Sequence, residues 1–168
     1  MKLRLFLLFV IFQAASLQGQ NKPCACCEAP FRQFDFWLGN WEVRDTSGQV
    51  LGNNSIVKAK GDCLIQEHWQ GQSGGSGHSM NYYASTDSSW HQLWVGGDGT
   101  ILNLVGGLEN DAMVLRSQAF KSKSGVMLRH QIQWIPLADG SLIQHWQLIN
   151  EKGKALKSLF YGVYYPEN

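Results

Sequence analysis

Long apolar runs are scarce in this 168-residue chain. The first, Leu5 to Phe12, is too short to span a bilayer and nothing later is longer, so no membrane-spanning helix is expected. Charge is scarce too: Asp, Glu, Lys and Arg make up 16% of the residues, with a formal net charge of +1. Two of the 14 basic residues, Lys2 and Arg4, precede that first apolar run. The 12 that remain stand against 13 acidic ones, a net of −1. That balance argues against nucleic acid or an anionic membrane as a partner. No sustained helical periodicity appears beyond about residue 37, which argues against a bundle. No His-x-His or His-x-x-x-His pair occurs, so the spacing offers no paired-histidine metal site. A lipid anchor needs a box of small residues directly before a cysteine. Asn21-Lys22-Pro23 before Cys24 is not one, and no anchor is expected.

What is present begins with a leader. Met1 to Arg4 is basic, Leu5 to Phe12 apolar and Gln13 to Gln20 small and polar, the pattern of a secretory signal peptide cleaved between Ser16 and Gln20. We therefore read residues 1–20 as a signal peptide, 21–33 as a cysteine-bearing lead-in and 34–168 as one β-barrel domain of an exported protein, periplasmic or secreted. In such a compartment the four cysteines, Cys24, Cys26, Cys27 and Cys63, favour disulfides. A vicinal Cys26–Cys27 bond is sterically awkward, which leaves Cys63 to pair with one of the N-terminal three. The alternative, a metal held by all four, has a tighter spacing than the usual C-x(2–4)-C pairs of structural zinc sites.

The densest stretch is Phe34-Asp35-Phe36-Trp37-Leu38-Gly39-Asn40-Trp41. Each Trp buries roughly 150–250 Å², so two of them four residues apart need a large apolar receptacle. Pro30 opens a segment in which Phe31, Phe34 and Trp37 fall at helical spacing, a turn or two that would plug one end of a barrel. From Gly39 the period changes to two. Apolar-rich runs at 49–60, 63–71, 78–84, 90–96, 100–106, 112–120, 126–135, 141–149 and 154–164 follow, each closed by Gly, Asp, Asn or Ser. Asp98-Gly99 and Asp139-Gly140 are hairpin turns by composition. With the first strand this makes about ten, in an antiparallel up-and-down order whose exposed edges are removed by closure.

The Phe34-to-Trp41 opening resembles that of an uncharacterised family of exported bacterial domains beginning with FDFW-x-G-x-W. Cys63-Leu64-Ile65-Gln66-Glu67-His68-Trp69 is similar to the family, as are Tyr82-Tyr83 with Trp90-His91-Gln92-Leu93-Trp94. So is Gln144-His145-Trp146 leading to Phe160-Tyr161-Gly162-Val163-Tyr164. The likeness runs from about residue 31 to the end. That family resembles the calycin-like barrels (lipocalins, fatty-acid-binding proteins, nitrobindins), whose G-x-W Trp packs at the closed end. The resemblance implies an all-β, calycin-like barrel with a short N-terminal helical plug. Ile143 stands where family members carry an Arg, and Ala155-Leu156 where they carry Thr-Trp, so roles of those residues do not transfer. On this fold a bond from Cys27, or from Cys26, to Cys63 would clip the plug to the rim.

Several groups are candidates for chemistry. Gly71-Gln72-Ser73-Gly74-Gly75 matches the G-x-S-x-G of a nucleophile elbow, but strand-like residues follow it instead of a helix, which favours a hairpin loop. Glu67 alternates with Ile65 and Trp69; on a lumenal face, burial would raise its pKa and suit it to acid–base work or to anchoring a ligand. His68, His91, His130 and His145 invite a metal or haem reading, and His130, which shares a face with Leu128, Ile132 and Trp134, is the best single candidate. The expected lumen is Trp41, Glu67, Trp69, Tyr82, Trp90, Gln92, Trp94, His130, Trp134, Gln144 and Trp146, aromatic walls with a few orienting polar groups. The function these patterns imply is binding of a small apolar or amphipathic molecule; an enzyme using Glu67, or a haem or metal barrel, is the alternative. No catalytic residue, metal or cofactor is assigned, and no oligomeric state follows.

Overall fold

The computed structural model describes residues 24–59 and 61–167; the expected leader lies outside them. A four-residue helix, α1 (Ala29–Arg32), and a 3-10 turn (Asp35–Trp37) precede the strands. These are β1 (Gly39–Arg44), β2 (Val50–Lys58), β3 (Ile65–Gly71), β4 (Ser76–Ala84), β5 (Ser89–Gly96) and β6 (Ile101–Glu109). After them come β7 (Ala112–Ser117), β8 (Phe120–Lys121), β9 (Met127–Pro136), β10 (Leu142–Asn150) and β11 (Ala155–Pro166).

Neighbours in sequence pair antiparallel from β1 to β7, β7 pairs with β9, and β9, β10 and β11 lead back to β1. The result is the expected closed, all-β, ten-strand barrel, consistent with a calycin-like fold. The two-residue β8 is a side rung against β9. The run 112–120, expected as one strand, breaks after Ser117, whose hydroxyl accepts the backbone N–H of His130 at 3.0 Å. The Asp-Gly turns form as composition demands: Gly99 and Gly140 both have φ of 85°. Asp98 and Asp139 accept the backbone N–H two residues on.

The plug explains why one end is closed. Phe34 and Trp37 are fully buried and stack at 4.8 Å between ring centroids. Phe34 meets Trp90 edge-on at 5.6 Å and Trp134 at 5.1 Å, and Trp37 lies 5.2 Å from Trp134. Aromatic pairs of this geometry are each worth about 0.5–1.5 kcal/mol beyond their buried area. Hydrogen bonds set the depth of the wedge. Trp41 Nε1 donates to the Trp37 carbonyl at 2.9 Å, and Trp90 Nε1 to the Pro30 carbonyl and Gln33 Oε1, both at 3.2 Å. Outside it, Asp35 is bracketed by Arg32 at 2.6 Å and Lys58 at 2.7 Å.

Two disulfides secure the lead-in to this end. Cys26 bonds Cys63, just before β3, and Cys24 bonds Cys27. The reading that Cys63 pairs with the N-terminal cluster holds through Cys26; Cys27 is taken instead by Cys24, three residues away, without the strain of a vicinal bond. Two such bonds persist in a non-reducing environment. Among the described residues no helix is long and apolar enough to cross a membrane. Cys26 and Cys63 are 37 residues apart, and the chain-entropy relation gives a loop of that size about 3–4 kcal/mol. Serine replacement of both should lower the unfolding free energy by that much. Replacing Cys24 and Cys27 should cost only about 2 kcal/mol, because the loop is short. Chemical denaturation measures both effects. Intact mass after alkylation without reductant should show no modified thiol, and four modified thiols would contradict the pairing.

Candidate functional site

Above the plug, alternation sends every second residue inward, and the inward set is not uniformly apolar. Asn54 from β2, Glu67 from β3, Ser79 and Asn81 from β4 and Gln92 from β5 are all buried at mid-height. They form one network. Asn54 Nδ2 donates to Glu67 Oε1 at 2.8 Å and Ser79 Oγ to Glu67 Oε2 at 2.6 Å. Asn81 Nδ2 donates to Ser79 Oγ, and Gln92 Nε2 to Asn81 Oδ1, each at 2.8 Å. On the far side Asn54 Nδ2 reaches the Tyr164 hydroxyl at 3.2 Å, which in turn donates to Gln144 Oε1. Buried polar groups keep their place only when satisfied in this way. Asn54 Oδ1, buried and without a partner among the described residues, is the exception within the layer. Of the residues that line the cavity, Gln92 Oε1 and Gln144 Nε2 bond no other described residue.

Over this polar floor sits a cavity of about 110 Å³, lined by Glu67, Gln92, Gln144 and Tyr164 below and by Trp69, Trp94, Trp146, Phe160, Leu102 and Ile132 around it. That is room for roughly three or four waters at about 30 Å³ each. Glycines keep it open. A Cβ at Gly77 would lie 2.2 Å from Trp94 Cζ2, and one at Gly52 would lie 2.8 Å from the Trp69 ring. Both indoles therefore lie down over neighbouring strands instead of filling the middle.

Glu67, 4% exposed, has no cation beside it among the described residues. Burial pushes its carboxyl from an ordinary 4.5 up to about 7, against the lowering effect of the Ser79 and Asn54 hydrogen bonds. Burial, reinforced by the Glu67 charge, also pushes the Tyr164 phenol well above its usual range.

The expected lumen residues divide into three groups. Glu67, Trp69, Gln92, Trp94, Gln144 and Trp146 meet at the cavity. Trp41, Trp90 and Trp134 lie in the closed-end core below the floor. Tyr82 must be corrected: it is 42% exposed on the outer face, stacked on His91, because its neighbour Tyr83 takes the inward position. His130 is half-buried on the lumenal face at the open end, lining a second hollow with Phe120 and Arg129. Its Nδ1 accepts Trp146 Nε1–H at 3.0 Å, and burial lowers its pKa. Among the described residues no cluster of three or more His, Cys, Asp or Glu could hold a metal. Ser73 lies in the turn between β3 and β4, with no helix after it.

Sequence reasoning passed over Phe160 and Tyr164 as lining residues and Asn54, Ser79 and Asn81 as the support of Glu67. The available signal was phase: Asn54 is two residues from buried Ile56, and Tyr164 two from Gly162 on the same face. The chain matches no protein-family model and no curated protein.

Two outcomes follow from this geometry. The unfolded chain ionises Glu67 near 4.5 and the fold near 7, so stability is complete below the lower value and is lost as pH rises through the higher, by about 3 kcal/mol. Between pH 5 and 8, which spans about 2.5 kcal/mol of that loss, the wild-type melting temperature should fall by roughly 5–10 °C, and Glu67→Gln should flatten the slope. An equally steep fall in the variant would contradict the assignment. Gly77→Ala should drive the Trp94 indole into the cavity and cost about 1–3 kcal/mol. Denaturation followed by indole fluorescence reads the loss of stability and the ring's new surroundings together.

Proposed function

We propose that this barrel is an exported protein, periplasmic or secreted, that binds a small apolar or amphipathic molecule in its lumen. The supporting observation is the pairing of an indole-lined, glycine-widened cavity with a polar floor that leaves Gln92 Oε1 and Gln144 Nε2 free toward a ligand. Apolar walls with a few convergent polar groups are the usual composition of a small-molecule site. The two disulfides support export, in keeping with the leader pattern over residues 1–20. The FDFW-x-G-x-W opening supports kinship with the exported bacterial domains that share it. A second reading, an enzyme using Glu67 as acid or base, is favoured by that carboxyl's pKa of about 7. It differs in requiring that the bound molecule leave chemically changed.

Protein purified from its own source should carry a small molecule visible by native mass spectrometry and lost on denaturation. A direct test uses phenol at millimolar concentration as a neutral probe, followed through the indole N–H resonances. Those of Trp69 and Trp94 should move, while those of Trp37 and Trp134, sealed in the plug, should not. Movement of all seven alike, or of none, would contradict lumenal binding.

A further inference from the structure

We propose that the lumenal ligand is a small organic cation, an alkyl- or methylammonium group, seated among the Trp69, Trp94 and Trp146 indoles above the Glu67 carboxyl. The proposal rests on the lumenal-binding reading and assigns its chemical class. Three observations carry it.

First, the cavity has a charge of one sign only. Glu67 is the single carboxylate among its lining residues, no Lys or Arg joins it, and no cation lies within ion-pair distance of it among the described residues. A buried carboxyl is either neutralised by a proton or, when ionised, paired with a cation; for the ionised form of Glu67 no described residue supplies that cation, and a bound ligand would. Second, the walls suit the charge they lack. Indole is the best of the aromatic faces for a cation, and the attraction grows when water is excluded; three indoles, with Phe160 and Tyr164, surround the space. Third, the volume of about 110 Å³ fits a compact head group and is too small for a long chain. An anionic ligand would instead meet Glu67 as a like charge in a site with little water, which is unfavourable.

Protonation makes the binding switchable. The groups facing Glu67 are Asn54 from β2, Ser79 and Asn81 from β4, Gln92 from β5 and Tyr164 from β11. Of these only Tyr164 titrates, and it stays neutral because burial holds its pKa far up. The other titratable group near the indole cage is His130, which accepts the Trp146 N–H and is held below its usual range by burial; we assign the pH dependence to Glu67, and Glu67→Gln separates the two. A cation favours the ionised form, so binding releases a proton and strengthens as pH rises through about 7.

The experiment is calorimetric titration with choline and with its uncharged isostere, 3,3-dimethylbutan-1-ol, at constant ionic strength. At pH 8 choline should bind at least about tenfold more tightly than the alcohol. Its affinity should rise about tenfold from pH 6 to pH 8. Glu67→Gln, confirmed folded by its melting curve, should lose both the preference and the pH dependence; should it fail to fold, the wild-type pH series decides. Equal affinity for the two compounds, or choline affinity indifferent to pH, overturns the proposal. A protein that passes the phenol test and fails this one keeps a lumenal ligand and loses only the cationic class.

Discussion

Phe34 and Trp37 stacked on each other and wedged against Trp90 and Trp134 form the contact on which the rest of the barrel depends. Closing ten strands leaves a lumen wider than aliphatic side chains alone can fill from the walls. Here the closed end is filled from outside the sheet, by a segment that enters along the axis. Because that segment brings two large rings, Met113, Leu115 and Leu142 need only complete the packing around it. The disulfide from Cys26 to Cys63 limits how far the wedge can withdraw in the unfolded chain. It does not create the wedge, whose attraction is apolar area and ring geometry.

A sealed base makes a polar middle layer tolerable. Water cannot reach the Glu67 network from below, so every donor and acceptor in it must be met by a side chain, and most are. Asn54 Oδ1 is the exception within the layer, buried and without a hydrogen bond. The layer divides the interior into a dry half below and an accessible half above. Four of the seven Trp residues serve the lower half and three the upper. The same residue type thus does two jobs, and height in the barrel decides which.

Much of this was legible in the sequence. The change of period at Gly39, the Asp-Gly turns and the aromatic density at 34–41 are local signals, and they placed the strands and the plug to within a few residues. Phase was legible wherever one face is clearly apolar, as on β9. It failed where adjacent residues are both aromatic: Tyr82 and Tyr83 cannot both face inward, and only the pairing of Asn81 with Gln92 and with Ile65 fixes which does. The polar lumen residues were hidden for a related reason. Asn54 and Ser79 look like solvent-facing positions on any hydropathy reading, and their inward turn is a consequence of register across three strands. The pairing of Cys24 with Cys27 depends on the backbone turn between them, which cysteine spacing alone does not reveal.

The upper half of the barrel is built against its own stability. Leucines in place of Gly77 and Glu67 would offer more apolar area and no desolvated carboxyl, if the Trp94 indole were allowed to move. Instead glycines hold Trp69 and Trp94 against the wall, and a carboxyl sits where burial penalises its charged form. Departures from what packing and polar satisfaction would choose, concentrated in one place and compensated elsewhere, mark that place as the candidate site. The compensation here is visible: the stacked plug and the disulfide lie at the opposite end from the cavity. Stability is concentrated where the barrel is closed, and the open end is left free to hold a space, an unpaired acid and three aromatic rings around it.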